Sequence, residues 1–82
     1  MTRASMDSVE ARIRRRLRDG VLPRLDAAET WAGTHGTESI CSGCEEPVRY
    51  GEVEYELLFE DGGRETFHLS CMRMWEKLKT VA

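Results

Sequence analysis

Cys41-Ser42-Gly43-Cys44 and His68-Leu69-Ser70-Cys71 carry the residue types best suited to chemistry in this chain. Cys-x2-Cys is followed by 23 residues and then by His-x2-Cys, and the pattern takes in all three cysteines and one of the two histidines. Two close pairs of sulfur and imidazole ligands are what a tetrahedral Zn2+ site needs, each pair coming from one short backbone turn. Three thiolates and a neutral imidazole would leave the centre with a formal charge of −1, and Arg49 and Arg73, near the ligand pairs in sequence, are candidates to offset it. Four protein ligands close the coordination sphere, so the pattern predicts a structural zinc rather than a catalytic one with an open position. His35, six residues before Cys41, is a weaker alternative to His68 as the fourth ligand. A disulfide framework fits poorly, because three cysteines leave one over. A redox Cys-x-x-Cys fits poorly too, because it should open a helix, whereas Cys44 runs into Glu45-Glu46-Pro47.

The rest of the chain must hold these ligands in place. Eighty-two residues make one small domain whose core is too small to be generous, so a metal staple would contribute much of the stability. The net charge of −3 is unevenly spread. Residues 1–24 hold seven arginines and come to +4, whereas residues 25–82 come to −7. Met6, Val9, Ile13 and Leu17 recur at helical spacing and Gly20 is a stop signal, which predicts a helix over residues 7–19, capped by Ser5 or Asp7. Its apolar stripe is narrow and arginine-rich elsewhere, so it forms a basic arm (residues 1–24) that must dock on something. Residues 25–40 read as a linker, with a helical turn at Ala27–Trp31 and Trp31 pinning the linker to the core.

Residues 41–82 form the zinc-binding unit. Gly43 suits a knuckle that needs a positive φ or a close backbone approach. Val48–Tyr50 is a short strand candidate. Residues 52–60 alternate, with Val53, Tyr55, Leu57 and Phe59 inward and Glu52, Glu54, Glu56 and Glu60 outward. Asp61-Gly62-Gly63 makes the turn into a partner strand over residues 64–67. A second helix is predicted over His68–Val81, with His68 and Cys71 on its first turn and Trp75 covering the metal and the sheet. The expected class is therefore a small α+β zinc-stabilised domain preceded by an Arg-rich helix.

A zinc knuckle, a β-hairpin and a helix supplying two ligands from its first turn resemble a treble-clef finger. The Phe67-His68-x-x-Cys71 ending is similar to a LIM-type half-domain. Over about residues 9–78 the chain also resembles a group of small, uncharacterised bacterial zinc-binding proteins. Those set an Arg-rich helix and a Trp-Ala-Gly segment, here Trp31-Ala32-Gly33, ahead of Cys-x2-Cys and a Phe-His-x2-Cys helix. The resemblance implies zinc but no single function, because such fingers host nucleic-acid binders, protein adaptors and a few nucleases.

The function expected from the residues is a non-catalytic protein-interaction or regulatory module, working through the basic helix and the acidic hairpin with a protein partner or a second copy. A nucleic-acid-binding regulator is the alternative, with Arg12, Arg14, Arg15, Arg16 and Arg18 on phosphates, but the acidic strand and the lack of interleaved aromatics argue against it. A zinc or redox sensor is a second alternative. No sequence feature nominates an enzyme. No apolar run is long enough to span a bilayer, and residues 1–6 lack the apolar core of a signal peptide, so the expectation is a cytoplasmic protein with reduced thiols and no membrane partner.

Overall fold

The computed structural model describes residues 6–34 and 39–81; the side chains of Met6 and Asp7 lie outside the description, as do Ser5 and His35. Helix α1 (Met6–Arg18) is followed by strand β1 (Glu29–Gly33), strands β2 (Glu54–Leu58) and β3 (Arg64–His68), and helix α2 (Leu69–Leu78). The three strands form one antiparallel sheet in the order β1-β2-β3.

The α1 stripe behaves as its spacing requires: Val9, Ile13 and Leu17 are all buried in one core with residues of the knuckle, the sheet and α2. The helix stops at Gly20, whose φ of 76° is left-handed. There the Gly20 N–H reaches the Leu17 carbonyl at 3.2 Å and the Val21 N–H reaches the Arg16 carbonyl at 2.9 Å, a Schellman closure of the last turn. Leu22 then turns back into the core.

The segment expected to be a linker contains β1, so the predicted helical turn at Ala27–Trp31 is a strand instead. Trp31 does not pin it. It is 60% exposed, and the anchor comes from the opposite direction: the buried Trp75 of α2 donates its indole N–H to the Pro23 carbonyl at 2.8 Å. Arg24 donates to the Lys79 carbonyl, and the Lys79 ammonium, almost wholly buried, reaches the Leu25 carbonyl at 3.3 Å and Asp26 at 2.9 Å. That ion pair lowers the Asp26 carboxyl below its ordinary range. Trp75 also stacks on Phe67 at 5.5 Å and meets Phe59 edge-on at 5.9 Å, while Lys79 lies 4.2 Å from its ring.

The hairpin closes through Asp61-Gly62-Gly63, with Gly62 at φ 90° and the Asp61 carboxylate accepting the Gly63 N–H at 2.8 Å. The alternation predicted for β2 holds only at its far end. Leu57 and Phe59 are buried, but Val53 is 43% exposed and Glu54 only 8%. Glu54 pairs across the sheet with His68, which stands among the three cysteines, so at this end the outer face is covered by the knuckle. Val48–Tyr50 does not form a strand; the knuckle is instead closed by one bridge between Ile40 and Pro47. Among the described residues no helix is long and apolar enough to cross a membrane.

Candidate metal centre

The knuckle is built by backbone bonds before any metal is considered. The Cys41 N–H meets the Glu46 carbonyl at 2.9 Å and the Glu45 N–H meets the Cys41 carbonyl at 2.9 Å, which folds Cys41–Glu46 into a tight loop. Glu45 completes it at φ 63°. Gly43 is not in the left-handed region; close approach is what selects it. A Cβ there would stand 3.0 Å from the Cys71 Cβ, 3.3 Å from the Ile13 Cδ1 and 3.5 Å from the Phe67 Cδ1. The knuckle is then tied to β3, with the Ser42 N–H on the Thr66 carbonyl at 2.6 Å and the Thr66 N–H on the Ser42 hydroxyl at 3.2 Å. His68 is the last residue of β3 and the cap of α2, with φ −67° and ψ 156°, rather than a helical residue; only Cys71 lies on the first turn.

These constraints bring Cys41, Cys44, His68 and Cys71 together, all buried, with their ligand atoms within 4.8 Å of one another. The His68 Nδ1 is 3.4 Å from the Cys44 sulfur and 4.0 Å from the Cys71 sulfur. A tetrahedral ion with metal–sulfur bonds of about 2.3 Å and metal–nitrogen bonds of about 2.0 Å has sulfur–nitrogen edges of about 3.5 Å, so the cluster has the size to hold one metal ion. On its other side the imidazole Nε2 is 3.2 Å from the Pro47 carbonyl and 3.7 Å from the Glu52 carboxylate. A proton held there by Pro47 leaves the Nδ1 lone pair turned to the sulfurs, the outer partner a ligating histidine needs. The Cys41 sulfur accepts the N–H groups of Gly43 at 3.3 Å and His68 at 3.4 Å.

The thiols divide accordingly. Cys41 is lowered to about 4, first by the hydrogen bond from Cys71 and then by the N–H groups of Cys44, His68 and Gly43, against the effect of burial. Cys44 is raised, chiefly by burial, and Cys71 is raised by its hydrogen bond to Cys41, by burial and by the Cys41 charge. Cys41 is thus the thiol that ionises first, and a divalent ion would draw off the protons of the other two.

The arginines of α1 also divide. Arg12 donates to the carbonyl of Cys44, and Arg16 pairs with Glu45 at 3.3 Å, so both are turned onto the knuckle. Arg14, Arg15 and Arg18 are exposed, Arg14 pairing with Glu10 and Arg18 with Asp19 along the helix. Arg12 is the residue that sequence reasoning missed as part of the centre: its bond spans 32 positions, and nothing in local spacing announces it. Arg49 and Arg73, expected to offset the centre's charge, are both exposed. No family model matches the chain, and neither a curated protein nor a solved structure shows significant similarity to it.

Proposed function

We propose that the chain is a non-catalytic zinc domain of treble-clef-like architecture that serves as a protein-interaction module, with a protein partner or a second copy as its target. The observation that carries this reading is the closed, buried Cys3His cluster on which α1 is docked. Three sulfurs and one imidazole in tetrahedral spacing favour zinc over magnesium or calcium, which take oxygen ligands. Four donors leave no open position for substrate. His68 has Nδ1 at the sulfurs and Nε2 at Pro47 and Glu52, so no imidazole nitrogen remains for proton transfer. Thiols kept free for a metal suit a reducing compartment such as the cytoplasm.

Docking of α1 turns Arg14, Arg15 and Arg18 outward, with Arg14 and Arg18 already paired along the helix with Glu10 and Asp19. The nucleic-acid reading is left with these three of its five arginines, which supports the protein-interaction reading over it. Two measurements test the proposal. The purified protein should carry one zinc per chain and lose its tertiary structure on chelation. Affinity capture and sedimentation should find a partner or an oligomer that is lost when Arg14, Arg15 and Arg18 are changed together to glutamate. Absence of stoichiometric zinc overturns the domain, and absence of any charge-dependent association overturns the module.

A further inference from the structure

The two edges of the sheet are treated differently. The edge of β3 is covered by the knuckle, through Ser42 on Thr66 and the His68 N–H on the Cys41 sulfur. The edge of β1 pairs with nothing among the described residues except β2 on its inner side. Natural sheets blunt an open edge with lysine, proline or a bulge. β1 reads Glu29-Thr30-Trp31-Ala32-Gly33, pairs in unbroken register and carries no lysine, proline or bulge, its one charged residue being Glu29 at its start. Its first four residues are exposed.

Trp31 stands on the sheet face opposite the one that buries Leu57 and Phe67. Its direct cross-strand neighbour there is Glu56, with Glu29 two positions away along its own strand. Arg64 shares Glu56 at 3.5 Å, and the Glu56 side chain remains about a third exposed. An indole face beside a carboxylate attracts a cation twice, through the ring and through the charge. Residues 25–34 hold Glu29, and Asp26 which already pairs with Lys79, and no basic residue, so a second copy laid edge to edge offers Glu29 no cation, whereas a basic chain does.

We propose that β1 is the docking edge for an extended protein segment bearing arginine or lysine at alternate positions. The segment adds as a fourth strand and lays one cationic side chain on Trp31 beside Glu56. Backbone bonds supply the affinity of such a strand and the alternate side chains its selectivity. The inference rests on the interaction-module reading and narrows it to one edge and one partner chemistry. It fails separately, because an α1-dependent partner could exist while this edge binds nothing.

The probe is a blocked heptapeptide alternating arginine with threonine or valine, titrated calorimetrically into the zinc-loaded full chain, with indole fluorescence recorded in parallel. Saturable binding with a shift in emission is expected. Trp31→Ala should weaken it at least about tenfold while zinc content and melting stay unchanged, since the side chain is exposed. The same peptide N-methylated at alternate amides should not bind. The proposal is overturned by no binding at millimolar peptide, by equal affinity of the Trp31→Ala variant or of the N-methylated peptide, or by equal binding of a glutamate-for-arginine peptide. Self-association of the chain that Trp31→Ala abolishes would assign the edge to a second copy and overturn it as well.

Discussion

Replacing Gly43 by alanine places one methyl group where three elements meet. Because Gly43 has no left-handed φ, its backbone accepts a side chain, and the cost in the folded state is steric. The new carbon would lie 3.0 Å from the Cys71 Cβ, which is fixed by α2, and 3.3 Å from the Ile13 Cδ1, which can move. Overpacking of this kind costs about 1–3 kcal/mol, and the lower chain entropy of alanine returns about 0.4–1 kcal/mol. The difference runs from about zero to about 2.5 kcal/mol, and at its middle, about 1 kcal/mol, it lowers the melting temperature of a domain of this size by about 4–8 °C. Melts of the zinc-saturated protein at fixed free zinc measure it. Ile13→Val removes the Cδ1 and costs about 0.5–1.5 kcal/mol alone. The double variant should recover at least about 0.5 kcal/mol of the sum, and only part of it, because the Cys71 contact remains. Strict additivity of the pair, or a Gly43→Ala that raises the melting temperature, refutes the packing of α1 and α2 against the knuckle.

Metal binding should release about two protons per zinc near neutral pH, because Cys41 is already ionised and Cys44 and Cys71 are not. Apparent affinity therefore rises with pH by about two decades per unit until those two thiols ionise, as calorimetry in buffers of different ionisation enthalpy would show; release of three protons or of none contradicts it. Glu45→Gly relieves the backbone at φ 63° and loses only the exposed Arg16 ion pair, about 0–1 kcal/mol, whereas Glu45→Val loses the same pair and should cost about 1–2 kcal/mol more in denaturant midpoints, since a branched side chain is strained there. Lys79→Met should cost about 1–3 kcal/mol by removing a buried ammonium that holds Leu25, Asp26 and the Trp75 ring, while Asp26→Asn leaves stability little changed because that carboxylate is exposed.

The clustering of Cys41, Cys44, His68 and Cys71 was legible because two close pairs of metal-binding residue types imply a shared site, and the α1 stripe because three buried residues repeat every four positions. β1 was not. An edge strand with four of five residues exposed carries no alternation, and its glycine-flanked sequence looks like a linker. The two tryptophans show the same limit. Trp75 sits one turn beyond Cys71, and its burial followed from that helix face. Trp31 could be assigned a face only once its register with Glu56 was known. Glu54 broke the pattern of β2 because its environment is set by the knuckle, a contact distant in sequence and invisible to a period-two rule.

The division of the arginines ties α1 to the candidate metal centre. Arg12 and Arg16 are four positions apart and flank the Val9–Ile13–Leu17 stripe, so burying the stripe on the knuckle brings both guanidinium groups to it. A 13-residue helix is marginal on its own in water. Its stability must come from the surface beneath it, and that surface is α2 together with Gly43, Cys44 and Glu45, a loop closed by its own backbone bonds and carrying two of the four candidate ligands on or beside it. Withdrawing the metal leaves three buried thiols and an imidazole facing one another without a cation. The loop should then open, and α1 should melt with it rather than remain as a free arm. Chelation followed by far-ultraviolet circular dichroism, with exchange of the α1 amides read in parallel, should show helix loss and knuckle opening in a single transition. Persistence of α1 protection after zinc is removed would mean that α2 alone holds the helix, and that the contacts of Arg12 and Arg16 are incidental.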